Sequence, residues 1–184
     1  MMATDLNPAI SALRAGGVIA CPTEAVWGLS CDPENDAALA HLMRIKERDP
    51  AKGVILVAAS MEQFRPWLRQ LPLTMHAPLA ASWPGPNTWL VPDYGLSHGL
   101  VRGAHDRVAL RVTDHPLMKA LCEAFGGPLV STSANRSGEP PAMSAAEITA
   151  IFGDEVAQVV QGELGGNAKP STIRDLATGK VMRS

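Results

Sequence analysis

Aromatic side chains are scarce in this sequence: three Phe, four Trp and one Tyr make up 4% of 184 residues. Proteins that hold single-stranded nucleic acid on stacking platforms depend on such rings. An excess of positive charge is lacking too. Lys and Arg number 16 against 18 Asp and Glu, for a formal net charge of −2, and the pI is about 6.2. A general nucleic-acid binder driven by counterion release is therefore excluded, whereas a local basic patch is not. Cysteine is confined to positions 21, 31 and 122, with no C-x-x-C spacing. Thiols so placed point to a reducing compartment rather than a disulfide framework. The five histidines include no H-x-x-x-H pair, so no dedicated zinc site is expected. The start, MMATDLNPAI, has no basic stretch followed by an apolar core, and no apolar run approaches the roughly 20 residues of a membrane span. A soluble, cytoplasmic protein without membrane attachment is expected.

What is present is enough apolar material, 46%, to bury a core; the length fits one domain, 1–184. NPAISALRAGG (7–17) reads as a short helix with Asn7 as cap, Pro8 in its first turn and Gly16-Gly17 as its stop. VIAC (18–21) and VILVAA (54–59) read as buried strands, 22–35 as a long loop, and 36–48 as a helix. Ser60 starts a capping pattern into a helix that Pro66 shortens and that ends near Arg69. Residues 74–82 read as helical, and WPGPNTWLVP (83–92) as a turn followed by a strand. The stretch 93–106 shows no clear period. VALRV (108–112) is a strand, and Asp114 caps a helix that opens at Pro116 and ends at Gly126-Gly127. PLVS is a strand, SAAE (144–147) a capping box into a helix reaching Phe152, and VAQVV (156–160) a strand. STIRD and KVMR are two short strands around a turn. Alternating strands and helices imply an α/β domain whose sheet is covered on both faces. Short connections near 86–92 and 172–183 make that sheet mixed, parallel and antiparallel.

Ligands of such sheets sit in loops beyond strand ends. Four loops are rich in small polar residues: CPTEAVWG, KERDPAKG, STSANRSG and GGNAKPST. STSANRSG (131–138) reads first as a plain turn, since Ser and Asn bond nearby backbone, and second as a site for phosphate or carboxylate oxygens. In KERDPAKG, Lys46 and Arg48 diverge on an ideal helix; they converge only if the helix frays before Asp49-Pro50. A solvated helix end is the plainer account of that pair. GGNAKPST approaches the phosphate-loop pattern but fails it, because Ala168 stands where glycine is needed and Pro170 separates Lys169 from Ser171. Cys31 has no base placed beside it by the sequence, which argues against a thiol nucleophile.

Taken together, PTEAVWGL, KER, WPGPNTWLV, VALRVTDHP, STSANRSG and PSTIRD stand in the order and near the separations found in the YrdC-like family. The chain resembles the short, single-domain bacterial members, over about 9–183, without the C-terminal accessory domain of longer relatives. The resemblance implies a twisted mixed sheet flanked by helices around a concave, electropositive cavity. It also implies an enzyme, a nucleotidyltransferase that joins L-threonine, bicarbonate and ATP into threonylcarbamoyl-adenylate and releases pyrophosphate. Downstream threonylcarbamoyl-transfer proteins would then modify the adenosine beside the anticodon of tRNA.

The family's K-x-R and S-x-N pairs fall on Lys46 and Arg48, and on Ser133 and Asn135, the implied catalytic residues. With Thr132, Ala134, Ser171 and Arg183 they form the implied nucleotide site. Thr23, Arg111, Thr132 and Thr172 form the implied threonine site, with Arg111 on the carboxylate. Mg²⁺ would be held mainly by the nucleotide, because the loops hold no carboxylate cage. Many relatives read PTDTVYGL, and carry K-x-R-P-x-x-x-P-L with a His beyond. Here Ala25, Asp49, Gly53 and Val57 stand at those positions, so threonine must be held partly by other groups. The competing reading is a non-catalytic module binding tRNA or double-stranded RNA; weak RNA contact is also compatible with catalysis. A sugar-phosphate enzyme of related fold would need an acidic cluster with a His that the loops do not assemble.

Overall fold

Nine strands and seven α-helices follow from these runs in the computed structural model, which describes residues 3–167 and 169–183. The strands are β1 (Ile19–Pro22), β2 (Trp27–Ser30), β3 (Ile55–Ala58), β4 (Asn87–Pro92), β5 (Arg107–Val112), β6 (Leu129–Ser133), β7 (Gln158–Val159), β8 (Thr172–Asp175) and β9 (Val181–Arg183). They form one sheet in the order β7-β1-β2-β6-β3-β5-β4-β8-β9. Parallel pairs (β1 with β7, β3 with β5, β4 with β8) alternate with antiparallel ones, so the sheet is mixed, as expected. The helices are α1 (Asn7–Arg14), α2 (Asp36–Lys46), α3 (Arg65–Leu68), α4 (His76–Ser82), α5 (Gly99–Arg102), α6 (Pro116–Phe125) and α7 (Ala145–Phe152).

Successive side chains of a strand point to opposite faces, and the two core clusters follow that period. Ile19 and Cys21 of β1, Val57 of β3 and Leu129 of β6 pack with Leu13 of α1 and with Met118, Leu121 and Cys122 of α6. Ala20, Leu56, Ala58 and Val130 pack on the other face with Leu39, Leu42 and Ile45 of α2 and with Phe64 and Leu79. Burial on both faces is why these strands read as unbroken apolar runs. Each fully buried Leu or Ile contributes about 1.5–3 kcal/mol.

Four local expectations change. The loop at 22–35 contains β2, which forms a hairpin with β1 around residues 23–26. Its WGLS sequence alternates apolar and small residues over only four positions, too few to mark a strand, and pairing with β6 on its other edge supplies the missing support. The segment after Ser60 is a 3-10 turn (Met61–Phe64) followed by α3, and the Ser60 side chain makes no capping bond. Gln63 instead accepts the Ala59 amide. At α6 the cap position is His115 rather than Asp114. Asn7 likewise lies inside α1, whose cap is Leu6, while Ser144 does accept the Glu147 amide at 3.2 Å.

Candidate active site

α1 and α6 cover only one end of their sheet face. Across the register, Val57 and Leu129 lie under those helices, while Ile55, Ser131 and Ala109, paired in adjacent strands, continue the same face without a cover. A cavity of about 590 Å³ occupies this space. β5 lines it with alternate residues Arg107, Ala109 and Arg111, while Val108, Leu110 and Val112 point into the core. The rest of the wall comes from the β1–β2 turn (Thr23–Gly28), the 48–55 loop, the end of β6, the 167–171 segment and β9. Seven Lys and Arg side chains border it against two acids, Glu24 and Asp106, among the described residues. The chain carries a net charge of −2, so its positive charge is concentrated here.

α2 begins where Asn35 accepts the Ala38 amide at 2.9 Å and ends at Lys46, because Glu47 turns into the left-handed region (φ 52°). The turn separates the K-x-R pair. Arg48 reaches the cavity wall and donates from Nε to the Gly53 carbonyl at 3.0 Å; partial burial pulls its pKa down, but a guanidinium stays charged. Gly53 is obligatory. Its φ is +67°, and a Cβ there would stand 2.6 Å from the Val101 carbonyl. Lys46 points the other way. It is 3% exposed and absent from the wall. Its ammonium donates to the Ser133 carbonyl at 2.5 Å and to the Asn135 carbonyl and Oδ1 at 3.1 Å each. Those three acceptors use all three of its donors. Burial first, and then the Arg48 charge, push its pKa down to about 8.

The 131–138 stretch is therefore both a turn and a wall. Ser131, Thr132 and Ser133 border the cavity. Ala134 does not: it is fully buried, and its amide is already bonded to the Trp27 carbonyl at 2.9 Å. Asn135 also stands behind the wall, with Oδ1 accepting from Ser133 Oγ (2.6 Å) and Nδ2 donating to the Arg136 and Glu139 carbonyls.

Arg111 lies at the buried end of the cavity. Its Nη1 donates to Glu24 Oε1 at 2.6 Å, and Thr113 Oγ1 donates to the same oxygen at 2.5 Å. Burial pushes the Glu24 carboxyl up, but the Arg111 charge and these donors outweigh it and hold the pKa below its ordinary value. Thr23 borders the cavity with its hydroxyl donated to the Val26 carbonyl at 2.6 Å. Ser171 shares a 2.7 Å bond with Thr88 Oγ1, and its carbonyl accepts from Arg183, also in the wall. Thr172 is not in the wall: in β8 it is Ile173, one residue on, that faces the cavity, and the alternation sends Thr172 to the opposite face beside Asn87. Ala168 lies outside the described residues. All three thiols are buried with pKa values pushed up to about 12, which leaves Cys31 unreactive.

Lys52, Arg102 and Arg107 also border the cavity, as do Ser131 and Asn167. Arg102 ends α5 inside the unpatterned stretch and Arg107 follows it; backbone bonds of Val54 to Val101 and of Ala104 to Ala51 bring the first to the site, and the pairing of β5 with β3 and β4 the second. Thr113 stands beyond β5 with no local motif; its partner Glu24 is 89 residues away in sequence. No group of three or more His, Cys, Asp or Glu side chains capable of holding a metal occurs among the described residues, and no helix among them is long and apolar enough to cross a membrane.

The Sua5/YciO/YrdC family model, described as "Telomere recombination", matches residues 11–184. The chain is 61% identical over 181 residues to the threonylcarbamoyl-AMP synthase of Chromohalobacter salexigens, covering 98% of this chain and 97% of that protein. It is 49% identical over 187 residues to the threonylcarbamoyl-AMP synthase of Cellvibrio japonicus, covering 100% and 99% of the two chains. Among solved structures, Escherichia coli YciO superposes with a TM-score of 0.81 at 25% identity, over 97% of this chain and 88% of that one. Pyrococcus abyssi Sua5 complexed with L-threonine superposes with a TM-score of 0.85 at 28% identity, over 94% of this chain and 51% of that longer one.

Proposed function

Because the chain belongs to the Sua5/YciO/YrdC family, we propose that it is a threonylcarbamoyl-AMP synthase, joining L-threonine, bicarbonate and ATP into threonylcarbamoyl-adenylate with release of pyrophosphate. The observation that carries the reading is the gathering of Arg48, Arg111, Arg183 and the β6 hydroxyls in one hollow of an otherwise acidic protein. Carbamate, triphosphate and the threonine carboxylate are all anions. Two unit charges about 4 Å apart repel by about 4 kcal/mol at an effective dielectric constant of 20. Fixed cations must offset that repulsion before the reacting atoms can meet.

The threonine amino group would attack CO₂ or activated bicarbonate, and an oxygen of the resulting carbamate would attack the α-phosphate as pyrophosphate leaves. Arg48 offers its fork to paired phosphate oxygens. The Thr132 hydroxyl, with Ser131 beside it, presents donors to phosphate or ribose, the Ser133 hydroxyl, whose proton goes to Asn135, offers its lone pairs to a ribose hydroxyl, and Arg183 with Ser171 borders the nucleotide side. Arg111 is the cation for the threonine carboxylate, already oriented by Glu24, and Thr23 borders the same end. Catalysis then consists of positioning and of stabilising charge on the leaving group. Lys46 and Asn135, the remaining members of the two pairs, act by holding Ser133 in place. The amide of Ala134 supports the wall from behind, and Thr172 positions Ser171.

Mg²⁺ fits this site only as an ion brought by the nucleotide. Glu24 is engaged by Arg111 and Thr113, and no acidic cluster is present among the described residues. Bound that way it would neutralise phosphate charge. The product would pass, in the cytoplasm, to proteins that transfer the threonylcarbamoyl group to tRNA. The test is pyrophosphate release from ATP that depends on both threonine and bicarbonate, with Arg48→Ala and Ser133→Ala as comparisons. Release that ignores threonine, or full activity in both variants, overturns the reading.

A further inference from the structure

Arg136 belongs to neither signature pair, yet its side chain reaches α2, α7 and the turn that follows α7. Nη1 donates to the Ile45 carbonyl at 2.7 Å. Nη2 donates to the Ile151 carbonyl at 2.8 Å and to Glu155 Oε1 at 2.9 Å. The guanidinium lies 5.2 Å from the centroid of the Phe152 ring. The last carbonyls of a helix have no partner within it, and a cation there also meets the negative end of the helix dipole. One side chain thus caps the C-terminal ends of both α2 and α7.

The next residue continues the tie, with the Ser137 amide donating to the Lys46 carbonyl at 2.7 Å. Lys46 answers with its three bonds to Ser133 and Asn135. Five hydrogen bonds therefore join the end of α2 to the 133–137 turn, running in both directions. Arg48 follows Lys46 by two residues and Ser133 precedes Arg136 by three. The Arg48 guanidinium has one bond to hold its place, to Gly53, while its backbone amide donates to the Met43 carbonyl at 3.0 Å, back in α2. The spacing between its guanidinium and the Thr132 and Ser133 hydroxyls is set by that joint.

We infer that Arg136 is a positioning residue for the reaction: by tying the 133–137 turn to the ends of α2 and α7, it fixes Arg48 against the hydroxyls of β6. The inference rests on the proposed function for its kinetic readout and on geometry for the rest. Lysine cannot substitute for it fully, because one ammonium cannot span two helix ends in a planar fork.

The experiment compares Arg136→Ala, Arg136→Lys, Lys46→Met and the double variant Lys46→Met/Arg136→Ala. ATP binding is measured by calorimetry, and KM and kcat by threonine-dependent pyrophosphate release. A loosened joint raises the ATP Kd and KM of Arg136→Ala about 10-fold while kcat falls less than about 3-fold. Arg136→Lys gives about a 3-fold rise, a partial rescue that follows from its single remaining bond. Because both side chains act through one joint, the double variant binds ATP within about 3-fold of the weaker single variant. ATP affinity unchanged in folded Arg136→Ala, or losses that multiply in the double variant, overturn the inference. If Arg136→Ala does not fold, Arg136→Lys decides alone: wild-type ATP affinity refutes it. If the wild-type protein shows no threonine-dependent release, the reaction assignment fails, while calorimetry with ATP still judges the joint.

Discussion

Replacing Glu24 with glutamine keeps the shape of the side chain and removes its charge. Arg111 would then face a neutral partner while remaining buried: the two side chains are 9% and 11% exposed. Breaking a buried pair from one side costs about 3–5 kcal/mol. The pair borders a cavity that admits water, and Thr113 can still donate to the amide oxygen, so the lower end, about 3 kcal/mol, applies. In a domain of this length that lowers Tm by about 6–12 °C. The effect also has a pH signature. Arg111 and the donors around Glu24 hold its folded pKa below the ordinary value of 4.5, so its stabilisation is fully present above that value and is lost as pH falls through the folded pKa. Melting curves of wild type and Glu24→Gln should therefore stand apart at pH 7 and draw together as pH falls below the ordinary carboxyl value and through the lowered folded pKa. The double variant Glu24→Gln/Arg111→Met should recover at least half of the loss, because the uncompensated charge is gone. A Tm drop below about 2 °C, or a gap that does not change with pH, would refute the claim that this ion pair holds the end of the cavity.

Lys46 gives a pH dependence of the same sign in an alkaline window, because its folded pKa is lowered as well. Its folded pKa of about 8 lies below the ordinary lysine value of 10.5, so the unfolded chain binds more protons between those values. Wild type should gain stability over that window relative to Lys46→Met, by at most about 3 kcal/mol, as urea titrations at pH 7.5 and 10 would show. Gly53→Ala should cost at least about 2 kcal/mol, since it adds a Cβ in the left-handed region against backbone, and should weaken ATP binding by displacing the carbonyl that anchors Arg48. Arg48→Lys should lower kcat/KM at least about 10-fold with Tm within about 3 °C of wild type, because it loses the bidentate fork and leaves the core intact. An unchanged rate removes Arg48 from the site.

Much of the fold could be read from single segments because its central strands are buried on both faces: IAC, ILVA and LV are apolar at each position and bounded by glycine or proline. β2 could not, since Trp27–Ser30 becomes a strand only between β1 and β6. The site was legible where motifs mark turns at strand ends. Arg48 and Ser133 reach the wall as expected. The direction of Lys46 was not legible, because it depends on one residue, Glu47, leaving the helical conformation. Nor was the tie between Glu24 and Arg111 visible, because 87 residues separate them. Arg102 and Arg107 escaped notice for a related reason: charges in or beside an unpatterned stretch acquire a place only when distant segments, 51–54 for the first and β3 and β4 for the second, pack against them.

The pairing order of the sheet carries a kinetic consequence. β1 finds β7 through Ile19 and Gln158, and β4 finds β8 through Asn87 and Thr172, so the walls at both flanks close by contacts between distant parts of the chain. Loops of that size slow folding. On the ribosome, the segment bearing Ser171 and Arg183 emerges after nearly everything else. A nucleotide therefore finds its full set of partners only on a finished molecule, and by mass action it pulls late intermediates toward that state. Protection of β8 and β9 amides from exchange should then appear last in refolding and should be the protection that added ATP advances.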